Sequence, residues 1–259
     1  MKAILMRNFG DPDQLYLGTY DQPQIGPNEA LVKVKATALN RADTLQRKGK
    51  YPPPAGASPI LGLEMAGEVV QIGSEVSRWQ KGDRVCALLS GGGYAEYVAV
   101  HEALMLPLPV NWNWVEGAAI PEVYLTAFQA LNWLAQLQAG ERVLIHAGAS
   151  GVGTAAIQLA RAMGAEVGVT ASGGKHALCL SLGASYAIDY RQEDFAPAVK
   201  KHYEGTGVDV VIDFVAAPYF QQNLEVLRLE GRMVMLAFLG GALAKEVNLA
   251  PILRKRLQI

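Results

Sequence analysis

Residues 148–153 form a short segment, "GASGVG", whose residue types are suited to binding a phosphate group. The apolar run "RVLIHA" precedes it and the helical pattern "GVGTAAIQLARAMG" follows. A strand, a tight glycine turn and a helix N-terminus together present backbone N–H groups to the pyrophosphate of a dinucleotide. We predict a strand over 142–147 and a helix over 151–163. The predicted cofactor-binding residues of this loop are Gly148, Ser150, Gly151, Val152 and Gly153.

Ser150 stands where the usual dinucleotide fingerprint has its middle glycine. Serine is small enough to let a phosphate approach, and its hydroxyl can donate a hydrogen bond to an anion. Gly148 and Gly153 take the outer positions, which serve the tight turn and the close contact of helix and strand. The alternative is a turn that is rich in glycine for packing alone.

The segment after the second predicted strand bears on the choice of cofactor. NAD-binding folds carry an acidic residue about 20 residues beyond the glycine turn, where it binds the ribose hydroxyls of the adenosine. Here the segment reads "VTASGGKHA", with no acid and with Lys175. A lysine attracts a 2′-phosphate, so the sequence favours NADP(H). A solvated lysine at a helix start is the alternative.

The elements around this loop divide the chain into two parts. Up to about residue 110, short runs such as "ALVKVKATAL" alternate apolar and polar residues, which is typical of strands in a small barrel or sandwich. Later, a helical pair with a restart at Pro121 leads into apolar runs that alternate with helices. These runs predict five strands of a doubly wound parallel sheet. We predict an α/β protein with domains over 1–118 and 119–259.

The composition of the chain limits which partners the protein is expected to bind and where in the cell it is expected to be. The 259 residues carry a formal net charge of −1, and 18% of them are charged. This balance argues against nucleic acid and anionic membranes as partners. No apolar segment is long enough to span a bilayer, and no secretory signal is evident. With Cys86 and Cys179 as the only cysteines, both expected to be free thiols, we predict a cytoplasmic protein.

Five segments of the chain resemble one family in order. "GERVLIHAGASGVGTAAIQLARAMGA" resembles the signature of the quinone oxidoreductase (zeta-crystallin-like) branch of the medium-chain dehydrogenase/reductase superfamily. "ALNRADTLQRKGKYPPP", "LGLEMAGEV", "GGGYAEYV" and "AAIPEVYLTAFQAL" extend the resemblance. It implies a GroES-like β-barrel catalytic domain over 1–118 and an NADP-binding Rossmann domain over 119–259, with the active site between them.

The resemblance also implies roles for single residues. Asn40 corresponds to a catalytic polar group near the nicotinamide. Tyr51 lines the substrate side and is the candidate proton donor, although it could equally be a packing tyrosine beside a proline run. The further cofactor-binding residues implied are Thr126 near the nicotinamide, Lys175 and Tyr190 around the adenosine 2′-phosphate, and Phe238 and Gly240 in the backbone segment that borders the nicotinamide.

The positions that bind zinc in related enzymes carry other residues here. Zinc-binding members of the superfamily have a cysteine ahead of the first helix and a histidine in a Gly-His-Glu motif, where this chain has Asn40 and Leu63. Glu64 remains, but a catalytic zinc needs three protein ligands. We predict no metal. Without a metal to polarise a carbonyl, substrates that are already electrophilic are favoured.

The resemblance implies an NADPH-dependent quinone oxidoreductase that transfers a hydride from the nicotinamide to a quinone without metal. One alternative is an NADPH-dependent reductase of α,β-unsaturated carbonyls. Another is a catalytically impaired short form that acts as a binding or regulatory protein. The chain ends at "PILRKRLQI", where the family continues with a further strand and helix. The resemblance therefore implies a Rossmann domain incomplete at its C-terminal end, and a homodimer without its usual pairing strand.

Overall fold

The computed structural model describes every residue from Met1 to Ile259. The chain forms two compact units, an N-terminal unit (Met1–Glu122) and a C-terminal unit (Val123–Ile259). The α/β fold class is confirmed, with an antiparallel unit followed by a parallel one. The domain boundary between residues 118 and 119 stays a prediction.

The N-terminal unit is built from antiparallel strands. A two-stranded ribbon, β1–β2, accompanies a five-stranded sheet in the order β6-β3-β4-β5-β7. Inward-facing side chains such as Val32, Met65 and Val85 form its apolar core, as the alternating pattern requires. The strands are β1 (Lys2–Met6), β2 (Leu15–Thr19), β3 (Glu29–Ala36), β4 (Glu64–Ile72), β5 (Arg84–Leu88), β6 (Tyr97–His101) and β7 (Met105–Pro107).

Two short helices lie in this unit. Helix α1 (Arg41–Arg47) follows β3, and α2 (Trp114–Ala118) precedes the restart at Pro121. Helix α3 (Pro121–Phe128) then begins at that proline, the position at which a missing backbone N–H costs no intrahelical bond. It continues into a π-helical segment, Gln129–Leu134.

The C-terminal unit is a five-stranded parallel sheet in the order β10-β9-β8-β11-β12. Its strands are β8 (Arg142–Ile145), β9 (Glu166–Ala171), β10 (Tyr186–Asp189), β11 (Val208–Asp213) and β12 (Leu227–Met235). Its remaining helices are α4 (Gly151–Ala162), α5 (His176–Ser181), α6 (Phe195–His202), α7 (Phe220–Val226) and α8 (Ala250–Lys255). No helix of the chain has both the length and the apolar character needed to cross a membrane.

Helices cover both faces of the parallel sheet, which explains why the central strand β8 is apolar at its three buried positions. In β8, Val143 and Ile145 face the cluster that contains Ile157 of α4. Leu144 faces the opposite cluster, which contains Phe195 of α6. Successive side chains of a strand point to opposite faces, so a strand covered on both faces favours apolar residues at successive positions.

The strand order reverses at β8, which has β9 on one side and β11 on the other. In doubly wound sheets, ligands bind outside the carboxyl ends of the strands at such a reversal. Strand β8 ends at Ile145 rather than at the predicted residue 147, because Ala147 turns into the left-handed region with φ of 47°. The glycine segment therefore begins at the position where a ligand site is expected.

Candidate functional site

The glycine segment forms the tight turn between β8 and α4. A Cβ atom on Gly148 would lie 2.7 Å from Cβ of Val169 on the neighbouring strand. A Cβ atom on Gly153 would lie 2.5 Å from the carbonyl oxygen of Ala147. These distances are too short for any side chain. The two outer glycines thus let α4 start directly against the sheet.

Ser150 is the N-cap residue of α4. Its Oγ accepts a hydrogen bond from the N–H group of Gly153 at 3.1 Å. The hydroxyl hydrogen remains available as a donor, and the residue is exposed. The N–H groups of Gly151 and Val152, in the first turn of this 12-residue helix, have no intrahelical acceptor. The turn therefore has the donors and the dipole orientation that suit a pyrophosphate.

The turn after β9 carries the candidate adenosine-side residues. Lys175 is exposed at the end of a 3-10 turn, Gly173–Lys175, and Tyr190 is exposed directly after β10. The turn itself contains no carboxylate. The structure nevertheless places one there from the adjacent strand, because the Gly173 N–H donates to Oδ2 of Asp189 at 2.9 Å. The residues that directly follow β9 do not reveal this carboxylate, because Asp189 lies 16 residues beyond Gly173 and reaches it only through the pairing of β9 with β10.

The candidate nicotinamide-side loop follows β12. Leu239 N–H donates to the carbonyl of Phe214 and Gly240 N–H donates to that of Val215, both at 2.9 Å. A Cβ atom on Gly240 would lie 2.7 Å from Cγ of Pro218. The loop is thus held against the residues that follow β11, and the Phe238 side chain remains exposed.

A buried hydrogen-bonded chain runs beneath the carboxyl edge of the sheet. It is centred on His146, the residue after β8, which is fully buried and packs edge-on against the Phe195 and Tyr219 rings. Its Nδ1 lies 2.9 Å from Oγ1 of Thr170, and its Nε2 lies 2.7 Å from Oδ1 of Asn223. We call the set Thr170, His146, Asn223 and Asp213 the buried polar chain.

The partners of the buried polar chain determine which nitrogen of His146 carries the proton. Asn223 donates through Nδ2 to Oδ2 of Asp213 at 3.0 Å, so its Oδ1 is an acceptor. His146 must then donate from Nε2, and its Nδ1 accepts from the Thr170 hydroxyl. Burial lowers the pKa of His146, which favours this neutral form. No sequence spacing singled out this residue; only its place before the glycine turn could have indicated it.

Asp213 connects the buried polar chain to the loop after β11. Its Oδ1 accepts from the N–H groups of Val215 and Ala216, at 2.7 and 3.1 Å. Since Val215 in turn accepts from Gly240, the buried polar chain links strand β9, through Thr170, with the loops after β11 and β12. These contacts hold the segments around the candidate cofactor site in fixed relative positions.

In the N-terminal unit, Asn40 lies in a cluster of buried acidic groups. Its Nδ2 donates to Oε1 of Glu64 at 2.7 Å, and its backbone N–H donates to Oδ2 of Asp43 at 2.7 Å. Asp43 also accepts from the Tyr94 hydroxyl at 2.9 Å, and Glu64 accepts from the Glu122 N–H at 2.8 Å. Glu64 therefore fixes the orientation of the Asn40 amide.

Burial dominates the electrostatics of this acidic cluster. Desolvation raises the pKa of Glu64 above its ordinary value, and that of Glu122 likewise, with a further contribution from the Glu64 charge. Desolvation also raises the pKa of Cys86 to about 11 and that of Tyr94 well above its usual range. The Cys86 thiol is free and buried, and therefore weakly nucleophilic, as is expected of a packing residue.

The cluster does not supply a zinc-ligand set. The Glu64 oxygens accept from Asn40 and Glu122, and no group of three or more His, Cys, Asp or Glu side chains is placed to hold a metal ion. A catalytic zinc needs three such ligands. The residues present therefore do not fit a catalytic zinc, and the absence of metal stays a prediction.

The structure brings together the loop residues 148–153, and it links the turns that carry Lys175 and Tyr190. Asn40 and Tyr51 belong to the N-terminal unit, where Tyr51 is 46% exposed in the segment after α1. Thr126 is half-buried on α3. The roles of all these residues stay predictions.

Two family models match the chain. Residues 26–110 match the alcohol dehydrogenase GroES-like domain, and residues 151–259 match the zinc-binding dehydrogenase model. The first lies within the antiparallel unit, and the second begins at the first residue of α4. Both matches agree with the predicted fold.

Solved structures with similar folds include two kinds of reductase. The CurK enoyl reductase is 32% identical with a TM-score of 0.89, covering 99% of this chain and 79% of the CurK chain. The quinone oxidoreductase of Escherichia coli, solved in complex with NADPH, is also 32% identical with a TM-score of 0.89, covering 100% of this chain and 79% of its own.

Polyketide synthases contain similar segments. The PikAII component of the pikromycin synthase of Streptomyces venezuelae is 40% identical over 212 residues, or 81% of this chain. The chain spans only 6% of the length of that synthase, and 11% of a mycocerosic acid synthase-like enzyme of Mycolicibacterium smegmatis. The similarity is thus to one segment of these large proteins.

Gly153→Ala should weaken binding of NADPH about tenfold or more, because the added methyl group would displace the start of α4 from the Ala147 carbonyl. Calorimetric titration with NADPH measures the effect. Thr154→Ala is the matched control, since its hydroxyl only donates to Gly151 within the same helix. Wild-type affinity in Gly153→Ala would contradict the role assigned to this turn.

His146→Gln should flatten the dependence of stability on pH between 5 and 7. The pKa of His146 is lowered by folding, so below about pH 6.5 the unfolded chain binds a proton that the folded chain excludes. In the wild type, His146 therefore makes the free energy of unfolding decrease as pH falls through this range, by at most about 1.4 kcal/mol per pH unit.

Denaturant unfolding of both proteins at several pH values measures the difference in slope. Contributions of other groups, including the buried Glu64 and Glu122, are common to both proteins and cancel. His101→Gln, which removes an exposed histidine outside the buried polar chain, is the control variant. Equal slopes for wild type and His146→Gln would show that the histidine is not neutral in the folded state.

Proposed function

The chain belongs to the medium-chain dehydrogenase/reductase superfamily of NAD(P)-dependent oxidoreductases, and we propose that it reduces quinones with NADPH, without a catalytic metal. The observation that carries the proposal is a glycine turn whose donors suit a pyrophosphate, in a chain whose acidic cluster lacks a zinc-ligand set. A carbonyl that no metal polarises is a poor hydride acceptor. A quinone is electrophilic without such help.

The cofactor supplies a hydride, and the protein binds and orients both reactants. In this proposal, the N–H groups and the Ser150 hydroxyl of the glycine turn hold the pyrophosphate. The backbone segment with Phe238 and Gly240 borders the nicotinamide, together with Thr126. Asn40, whose Nδ2 donates to Glu64, is the polar group proposed for the nicotinamide end of the cofactor.

The preference for NADPH rests on the turn after β9. Lys175 and Tyr190 are exposed on adjacent turns, and Lys175 forms no ion pair with any residue of the chain. A free lysine beside the adenosine ribose attracts a phosphate on its 2′-oxygen. Quinone oxidoreductase of Escherichia coli, whose structure contains NADPH, is among the similar proteins.

Reduction of α,β-unsaturated carbonyls is a second candidate, favoured by the equal similarity to the CurK enoyl reductase and by the similar polyketide synthase segment. It needs the same hydride and one proton. A binding or regulatory role without turnover remains the third hypothesis. Cytoplasmic location, a homodimer and the absence of nucleic acid and membrane partners also stay predictions.

The proposal is tested by the rate of NADPH oxidation with ortho- and para-quinones and with α,β-unsaturated ketones and thioesters. We expect kcat/KM for at least one quinone to exceed that for the unsaturated carbonyls. The reverse order would assign the second candidate function. NADPH binding without turnover of any acceptor would favour the binding role.

Tyr51→Phe should lower kcat about tenfold to a hundredfold at unchanged KM for NADPH, if its hydroxyl is the proton donor. The residue is accessible and has no hydrogen bond within the chain, so its loss should not affect folding. Tyr20→Phe is the matched control, because Tyr20 is 41% exposed against 46% for Tyr51. An unchanged kcat in Tyr51→Phe would leave Tyr51 as a packing residue.

A further inference from the structure

Strands β9 and β10 end side by side at the carboxyl edge of the sheet. Ala171 is paired with Asp189 in their parallel register, so the chain leaves both strands at the same level. Residues 172–175 follow β9, and residues 190–193 follow β10. We call these segments the β9 turn and the β10 turn. The first carries Lys175.

One carboxylate joins the two turns. Asp189 Oδ2 accepts a hydrogen bond from the N–H of Gly173 in the β9 turn at 2.9 Å. Its Oδ1 accepts from the N–H of Arg191 in the β10 turn at 3.0 Å. The Asp189 backbone carbonyl also accepts from Gln192, at 2.9 Å. Hydrogen bonds to an ionised acceptor are shorter and stronger than neutral ones, so this single side chain fixes both turns.

The β9 turn is closely packed at Gly173, where it contacts Asp189, and open at Gly174. A Cβ atom on Gly173 would lie 2.7 Å from Oδ2 of Asp189. A Cβ atom on Gly174 would meet no atom within 4 Å. The β9 turn is therefore packed on its Asp189 side and accessible beside Lys175, where a ligand can approach.

Each turn carries a cation that no acidic side chain neutralises. Lys175 and Arg191 are both exposed, and neither forms an ion pair. The Arg191 guanidinium lies 5.8 Å from the centre of the Tyr190 ring. Asp189 is an anion in the same region, but both of its oxygens face backbone N–H groups rather than these cations.

We propose that Asp189 is a positioning residue for cofactor specificity: its carboxylate holds the β9 and β10 turns together, so that Lys175 and Arg191 face a phosphate monoester on the adenosine ribose. The inference rests on the NADPH preference proposed above. Asp189 acts through the two turns and does not touch the phosphate. Its loss should therefore affect NADPH and leave NADH unchanged.

The test compares binding of NADPH, NADH and adenosine 2′,5′-bisphosphate by calorimetry. For Asp189→Ala we expect about tenfold weaker binding of NADPH and of the bisphosphate, with NADH affinity within about twofold of wild type. Asp189→Asn retains one acceptor oxygen, so its affinity for NADPH should lie between those of the wild type and Asp189→Ala. In the Lys175→Ala background, Asp189→Ala should weaken NADPH binding by less than it does alone, because part of the effect of Asp189 is exerted through the position of Lys175.

Asp209→Ala provides the matched control. Asp209 also accepts a backbone N–H from a neighbouring segment, that of Arg142 at 2.9 Å, but at the opposite edge of the same sheet. It should change stability without changing the ratio of NADPH to NADH affinity. Thermal unfolding of each variant shows whether the fold is retained.

Other outcomes overturn the inference in distinguishable ways. Tighter NADPH binding in Asp189→Ala would show that the carboxylate repels the phosphate, and selective loss of NADH would show that it binds ribose hydroxyls. Equal losses of affinity for NADPH and NADH would show that Asp189 only supports the fold. If the wild-type protein does not bind NADPH more tightly than NADH, the proposed NADPH preference is wrong, and the role of Asp189 is wrong with it.

Discussion

The close approach of α4 to the sheet is the constraint on which the candidate cofactor site depends. Gly148 and Gly153 leave no space for a Cβ atom against Val169 and the Ala147 carbonyl. Because these positions hold glycine, the helix starts directly at the carboxyl end of β8. Its unpaired N–H groups and the positive end of its dipole then lie at the reversal of strand order, where a pyrophosphate can bind.

The other segments around that edge are held by polar contacts that connect separate loops. The buried polar chain links β9, β8, α7 and the loop after β11, and Asp189 links the β9 and β10 turns. Buried polar groups are costly unless they are paired, so such a chain stabilises one arrangement of its members over others. Loops carry the binding groups, and the interior fixes where those loops lie.

The N-terminal unit uses the same principle with acidic groups. Asp43 and Glu64 are buried without a basic partner, and both are stabilised by N–H, amide or hydroxyl donors. The arrangement fixes the amide of Asn40, the residue at a position that carries a zinc ligand in related enzymes. The Glu64 carboxylate is thus engaged by the Asn40 amide and the Glu122 N–H group.

The sequence by itself determined the class of fold and the place of the glycine turn. Apolar alternation predicted the antiparallel strands, continuous apolar runs predicted the five parallel strands, and local glycine spacing predicted residues 148–153, because each of these signals lies within one short segment. Only the tertiary structure revealed Asp189 beside Gly173, His146 between Thr170 and Asn223, and Glu64 against Asn40. These partners are 16 to 77 residues apart along the chain. Their contacts follow from strand order and register, which no local pattern of residues encodes.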